Sequence, residues 1–410
     1  MRQSKLFTKT VKDTPKGEEA KNAQLLMRAG FINKEMAGVY SFLPLGLKVL
    51  RNVEEIIREE MNNTLEAFEV FMPALHPVEN YQKTGRDDID VLFKTKLATG
   101  SDLVLGQSHE EVVVPLVKNH IFSYRDLPVY VYQIQNKFRN ELRAKSGILR
   151  GREFLMKDLY SFHTDMGDLE EYYEKSKKAY ENIFKKAGIG RYTRITFADG
   201  GTFSKYSHEF QTVTEAGEDL IYLCEDCEVA INEEIIDEQE ACPECEKKKE
   251  YLKKEKAIEV GNIFKLKTKF SDAFDLTYTD ENGEDRPVYM GCYGIGVGRL
   301  MGAVLEVNSD EDGMIWPEKL APFKIHLIPI GEYGEKKAEE LYGKLKNDFE
   351  ILYDDRDVSV GNKFADADLM GMPYRVVVSD KTLEKNSVEI KRRGSKKEKL
   401  VKIDNLQSYV

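Results

Sequence analysis

No apolar run in this 410-residue chain approaches the roughly 18 residues that a membrane-spanning helix needs, so no membrane anchor is expected. The first residues, Met1-Arg2-Gln3-Ser4-Lys5, carry neither an apolar core nor a cleavage-type site, so no secretory signal is visible and the cytoplasm is the expected compartment. Internal repeats and low-complexity tracts are also lacking. There is no Gly-Lys-Ser/Thr, which excludes a P-loop. The glycine-rich turn at Gly294 has no acidic residue about 20 positions on in a βαβ setting, which excludes a dinucleotide fingerprint. Positive charge is in deficit, with a formal net charge of −11. Net charge governs solubility and steering, whereas binding depends on local patches. Lys381 to Lys402 reverses the sign, with nine Lys or Arg against three Glu, although a solvated face is the ordinary meaning of such a run.

What is present is a soluble globular balance, 41% hydrophobic and 32% charged, on a chain long enough for two or three domains. Leu47, Leu50, Val53, Ile57 and Met61 recur at three- and four-residue steps and predict an amphipathic helix over 46–61. Phe68, Val70 and Met72 then alternate with their neighbours until Pro73, which predicts an edge strand. Further strands are expected at 103–105, 129–133, 153–156, 194–197, 219–223 and 262–266, with a charged helix from about Leu169 to Lys186. Hairpin-type connections favour an antiparallel sheet flanked by helices, an α+β domain. Two prolines within 316–322 mark a linker. Beyond it, strand and helix patterns alternate for about 90 residues, which predicts a separate α/β domain with parallel strands.

Two stretches supply arginines where a polyphosphate needs them: Phe138-Arg139-Asn140-Glu141 with Arg152-Glu153-Phe154, and Gly294-Ile295-Gly296-Val297-Gly298-Arg299. A guanidinium pairs phosphate oxygens bidentately and stays charged. The second stretch opens a helical run, and a helix N-terminus favours anions. Four of the five cysteines form Cys224-x-x-Cys227 and Cys242-x-x-Cys245, with 14 residues between the pairs. Two such knuckles can wrap one tetrahedral Zn²⁺ as a zinc ribbon, and a metal-free remnant is the alternative.

FRNE…REF resembles motif 2, and GCYGIGVGR motif 3, of the class II aminoacyl-tRNA synthetases. REFLMKDLYSFH (152–163) and MGCYGIGVGR (290–299) are similar to the bacterial prolyl-tRNA synthetases in particular. The helix and strand of 46–73 resemble motif 1, which in the family forms a homodimer interface. Motif 2 then spans about 138–156 and motif 3 about 291–305. The resemblance implies a class II catalytic domain over 1–223 and 257–316, a zinc-ribbon-like insertion at 224–256, a linker at 317–322 and an anticodon-binding domain at 323–410, seen best in Asp354 to Val378.

The implied activity is ATP-dependent ligation of L-proline to tRNA(Pro) through a prolyl-adenylate. Arg139 would hold the α-phosphate and the amino-acid carboxylate, Arg299 the outer phosphates, and Mg²⁺ would bridge phosphate oxygens. Glu141 would receive the adenine amino group, Arg150 would join the ATP site, and Phe154 would stack on adenine with Arg299 on its other side. By the same resemblance Ser108, Glu110, Met156, Asp158, Tyr160, His208, Cys292 and Gly294 would line the proline pocket with Arg139, Glu110 pairing the ammonium; taken singly, His208 reads as a structurally satisfied histidine. A serine stands at position 108 where the family usually has threonine. Arg143, Lys145 and Arg150 lie on a loop resembling the one that approaches the tRNA acceptor end; a solvated basic hairpin is equally compatible with the residues. In the common bacterial form an editing domain lies between motifs 2 and 3; the 224–256 segment is too short for one. Another class II specificity, an inactive synthetase-like RNA-binding regulator and a zinc-dependent nucleic-acid module are the competing readings.

Overall fold

Strands with apolar side chains on alternate positions line up edge to edge through much of the chain's middle. The structure, a computed structural model, describes residues 1–14 and 17–410. In the unit formed by Met36–Val39 and Glu54–Ala303 the central sheet has nine strands. They are β1 (Phe68–Glu69), β2 (Val129–Phe138), β3 (Glu153–His163), β4 (Thr193–Asp199), β5 (Tyr206–Val213), β6 (Asp219–Leu223), β7 (Ala230–Asn232), β8 (Lys253–Lys267) and β9 (Tyr289–Gly296). Their order is β5-β4-β7-β6-β8-β9-β3-β2-β1, and a further pairing of β5 with β8 closes five of them into a ring.

The sheet is not purely antiparallel, which corrects the expectation from hairpin connections. β1 lies parallel to β2, and β7 lies parallel to β4. The cause in the second case is the first cysteine pair, which turns the chain back from β6 so that β7 runs along β4. The expected 68–73 strand also shrinks. Phe68 and Phe71 are 74% and 80% exposed while Met72 is buried, so alternation fails at Phe68, which does not share the buried face of Met72. Side chains replace the ladder there: Met72 N–H donates to Gln133 Oε1 at 3.1 Å and Gln135 Nε2 donates to Met72 C=O at 2.9 Å.

Register decides which side chains share a face. On β3, Met156, Asp158 and Tyr160 lie opposite Gly296, Gly294 and Cys292 of β9. Phe154 and Asp158 lie opposite Lys137 and Gln133 of β2. The intervening residues point to the other face. There Lys157 Nζ donates to the Tyr180 hydroxyl at 2.6 Å, and burial lowers its pKa to about 7.

The helix expected over 46–61, α1 (Pro44–Glu59), ends in a π-turn over Glu60–Thr64, and Leu50, Val53, Ile57 and Met61 on its apolar stripe are buried. Three more helices serve the site: α2 (Val78–Thr84), α3 (Glu110–Lys118) and α4 (Met166–Lys186). Asp165 caps α4 by accepting from Gly167 and Asp168 N–H at 2.7 and 3.1 Å. Leu169, Tyr172, Tyr173, Ser176, Ala179, Tyr180, Ile183 and Phe184 form its buried face. The helix α5 (Val297–Val307) starts directly from the end of β9.

The other unit comprises Met1–Glu35, Tyr40–Val53 and Val304–Val410. Its sheet holds β10 (Ile325–Ile330), β11 (Ile351–Tyr353), β12 (Tyr374–Ser379), β13 (Ser387–Arg392) and β14 (Glu398–Lys402), in the order β11-β10-β12-β13-β14. The first three strands are parallel; β13 and β14 are antiparallel, where only parallel strands were expected. The turn that reverses the chain between β13 and β14 contains Gly394 at φ 82°, and β14 itself was not foreseen. The helix α6 (Glu332–Leu345) buries Ala338, Leu341 and Leu345 in this unit's core. The N-terminus belongs here as well: the Met1 ammonium donates to Ile351 C=O at 2.6 Å.

Candidate active site and cysteine cluster

Five of the sequence-selected pocket residues meet in one buried network. Glu110, at the start of α3, is fully buried and accepts from the Ser108 hydroxyl, from Arg86 at 3.2 Å and from the Cys292 thiol at 3.3 Å. Burial opposes its charge, but Arg86 and the Ser108 hydroxyl more than offset that, so its pKa lies below the usual carboxylate value. Asp158 accepts from Lys137 at 2.7 Å and from Gln133 and the Tyr160 hydroxyl at 3.0 Å each. Tyr160 in turn accepts from His109 N–H at 2.9 Å, which ties the loop before α3 to the sheet. Met156 and Gly294 sit on the same face. A Cβ at Gly294 would meet nothing nearer than the Met156 sulfur at 3.8 Å, so packing alone does not require glycine there and space is left above it.

His208 does not join them. Its Nδ1 meets the Tyr173 hydroxyl of α4 at 2.8 Å, and its ring lies 4.5 Å from that of Phe197. Burial, then Lys177 and Lys265, lower its pKa to about 3, so it is a neutral member of an aromatic cluster on the helix side. The strand's alternation turns its neighbour Glu209 to the opposite face.

The two arginines define a second region. Arg139 follows β2, and its guanidinium lies 5.3 Å from the Phe154 ring centroid; its Nε is buried with no hydrogen-bond partner among the described residues. Burial and the like charge of Arg299 lower its pKa from the usual arginine value. Arg299 donates to Leu149 C=O at 2.9 Å and to the Glu259 carboxylate at 2.8 Å. Glu141 accepts from Arg150 at 3.0 Å, and Arg150 also donates to Glu218 at 3.0 Å. These residues, with Asp219, Ala216, Ala257 and Ile258, line a cavity of about 220 Å³. Arg143 and Lys145 are exposed on the loop between β2 and β3.

Sequence reasoning missed several members. Lys137 is fully buried two positions before Arg139, where strand alternation puts it on the same face. Arg86 is 3% exposed and bridges Glu110 and Glu111. Glu209, Gln211, Glu259 and Asn262 come together because β5 pairs with β8, with Glu209 opposite Asn262 and Gln211 opposite Glu259. Only long-range pairing could reveal that group. Burial and Glu259 push Glu209 up to about 8, and the oxygens Gln211 Oε1 and Asn262 Oδ1 are buried without donors. An oxygen-rich corner with two orphaned acceptors fits a hard divalent cation.

The four cysteines of 224–245 converge, all four sulfurs lying within 4.8 Å of one another. Cys224 and Cys245 are 3.4 Å apart, and Cys227 and Cys242 3.5 Å. Tetrahedral thiolates at about 2.3 Å from a zinc ion stand about 3.8 Å apart, so the cluster fits that ion. Each knuckle repeats one geometry: Glu228 and Glu246 N–H donate to Cys224 and Cys242 C=O at 2.9 Å. Both glutamates adopt the left-handed conformation, φ 59° and 60°.

Comparison with known proteins agrees with this layout. A family model described as "tRNA synthetase class II core domain (G, H, P, S and T)" matches residues 93–308, and one described as "Anticodon binding domain" matches 324–410. A proline–tRNA ligase of Ehrlichia ruminantium is 39% identical, over 98% of this chain and 97% of the relative. One of Bacillus cytotoxicus is 33% identical over 565 aligned positions, 100% of this chain and 99% of the relative. The fold is also that of the Giardia lamblia prolyl-tRNA synthetase solved with prolyl-adenylate, with a TM-score of 0.77 and 18% identity over 93% of this chain and 74% of that one. Full-length identity at this level, on a class II core that gathers motif 2 and motif 3 arginines beside a buried glutamate, makes the chain a member of the proline–tRNA ligase family of class II aminoacyl-tRNA synthetases.

Proposed function

We propose that the chain ligates L-proline to tRNA(Pro), forming prolyl-adenylate from proline and ATP. The observation that carries this reading is the buried Nε of Arg139, a guanidinium donor without an acceptor among the described residues, at the end of a strand in the sheet whose Cys292 contacts Glu110. A cation and a carboxylate left for a ligand suit a zwitterion: Glu110 takes the ammonium, and Arg139 takes the carboxylate and the α-phosphate. The ionised carboxylate attacks Pα, the Pα–O bond to pyrophosphate breaks, and Arg139 balances charge on the α-phosphate. No base is needed. A terminal ribose hydroxyl of the tRNA then attacks the prolyl carbonyl, and AMP leaves.

Lys137 and Tyr160 fix Asp158, and Asp158 with Met156 and Cys292 shapes the ring pocket over Gly294. The orphaned oxygens of Gln211 and Asn262, with Glu259, would hold Mg²⁺, which supplies charge compensation on the phosphates when bound. Arg143, Lys145 and Arg150 are offered to the tRNA acceptor end, and the C-terminal domain to the anticodon. The exposed Phe68 and Phe71 favour a homodimer, because one self-complementary surface closes a two-fold pair; sedimentation at micromolar concentration should find no stable monomer. The cysteine cluster holds a structural Zn²⁺, and the protein works in the cytoplasm without cis editing. Among the described residues no helix is long and apolar enough to cross a membrane. An ATP–pyrophosphate exchange assay across all 20 amino acids tests the reading: exchange should depend on proline, and equal or greater rates with glycine, threonine or histidine would overturn it.

A further inference from the structure

The α2 helix ends at Gly85, whose left-handed φ of 67° turns the chain inward, and Arg86 N–H closes the turn on Tyr81 C=O at 2.9 Å. That turn drives the next side chain into the protein. The Arg86 guanidinium lies 4.6 Å from the Phe203 ring and 5.4 Å from that of Phe270, two rings that neighbour each other. It donates to Glu111 at 2.9 Å, to Glu110 at 3.2 Å and to the Ser108 hydroxyl at 3.3 Å. Both glutamates are fully buried. Thr84 hydroxyl supplies a second donor to Glu111, at 2.9 Å.

Charge counting shows what this achieves. Two buried carboxylates face one guanidinium, so the group carries one uncompensated negative charge when both are ionised. Nearby, Lys137 and Asp158 cancel each other. A buried charge without a partner is costly, and a substrate ammonium removes that cost. Among the described residues the side-chain donor to Glu110 Oε1 is the weak thiol of Cys292, so this is the oxygen we assign to that ammonium.

We propose that Arg86 is a positioning residue of the amino-acid pocket: it takes Glu111 as its own counter-ion and clamps Glu110 by one oxygen, leaving the other oxygen charged and aimed at the substrate ammonium. Arg86 touches no substrate in this arrangement. It acts through Glu110 and the Ser108 hydroxyl, and Glu111 completes the charge balance. Without Glu111, Arg86 would neutralise Glu110 fully and the pocket would lose its attraction for a cation. This rests on the reading that the pocket takes proline.

The experiment is steady-state ATP–pyrophosphate exchange at pH 8 with wild type, Arg86→Gln, Arg86→Lys and Glu111→Gln. Losing a charge-assisted contact at the ammonium corresponds to about 10–100-fold in affinity. Arg86→Gln should raise the proline KM by that factor while the ATP KM stays within about threefold. Arg86→Lys should recover part of the loss. Glu111→Gln, which keeps volume and removes a buried charge, should raise the proline KM about tenfold without losing the fold. If Arg86→Gln fails to fold, Glu111→Gln and Arg86→Lys decide the matter by the same KM split. A proline KM within threefold of wild type in folded Arg86→Gln or in Glu111→Gln, or a drop in kcat alone, would overturn the proposal. A wild type with no proline-dependent exchange would overturn the underlying reading and the proposal with it.

Discussion

Arg139 and Arg299 carry the same charge in different company, and substitution should separate them. Arg139 leaves a buried donor unpaired, so removing it costs the folded protein little and the reaction a great deal. We expect Arg139→Ala to reduce proline-dependent exchange by about 10²–10³-fold, with an unfolding midpoint at or slightly above that of wild type. A folded variant retaining a tenth of the wild-type rate would remove Arg139 from the reaction. Arg299→Ala differs because it strips Glu259 of its ion-pair partner, so stability should fall along with ATP use. Glu209 offers a test by pH. Burial and Glu259 raise it to about 8 in the fold, against an unfolded value near 4.5. The folded state therefore holds this proton where the unfolded state has released it, and the group costs stability increasingly as pH rises from about 4.5 to 8. Glu209→Gln removes that cost, so its stability advantage over wild type should grow with pH, on the order of 1 kcal/mol per unit. Urea midpoints at pH 6 and pH 8 measure it; an advantage that shrinks with pH would contradict the assignment.

Among the elements, the two cysteine knuckles are where local sequence and tertiary role can be separated. The C-x-x-C spacing predicted their convergence because metal-ligand geometry is local to each pair. Their effect on the sheet was not legible: β7 lies parallel to β4 only because the first knuckle reverses the chain. The motif arginines were likewise readable in sequence, since each stands in a short string with its own chemistry. Lys137 was not, because its partner Asp158 lies on the neighbouring strand, and the Glu209–Asn262 corner was not, because β5 pairs with β8 across some 50 residues. His208 misled for a local reason, as a strand alternates faces and its neighbour Glu209 took the site side. Within the knuckles, Glu228 and Glu246 occupy left-handed positions that glycine adopts without cost. We expect Glu228→Gly with Glu246→Gly to stabilise this segment by about 1 kcal/mol in total. Elemental analysis should give about one zinc per chain, lost together with segment stability in Cys224→Ser/Cys242→Ser, while exchange activity falls less than stability does. A metal-free wild type of unchanged stability would leave the cluster without a structural task.

At the scale of the whole molecule, the chain departs from some of its relatives in length. Alignment with the Bacillus cytotoxicus protein takes 565 positions over this 410-residue chain, so roughly 150 positions of that relative have no counterpart here. The Ehrlichia ruminantium relative aligns over 423 positions and is matched almost throughout. Between β6 and β8 this chain has the two knuckles, β7 and two short 3-10 turns (Glu233–Glu238 and Lys249–Tyr251), whose small core is Cys224, Ile231, Ile235, Ile236, Cys242 and Leu252. On the proposed absence of cis editing, the amino-acid pocket would have to reject smaller amino acids by itself. Alanine enters any pocket that admits proline, and only the missing methylenes disfavour it. Such differences are worth roughly 1–3 kcal/mol, about 10–200-fold. We expect purified protein to activate alanine within that range of proline and to leave preformed Ala-tRNA(Pro) intact. The measurement is deacylation of that mischarged tRNA with and without enzyme. Hydrolysis well above the spontaneous rate would place an editing site elsewhere in the chain, and the cavity of about 700 Å³ between the end of α4, β4 and the first knuckle would be the first region to mutate.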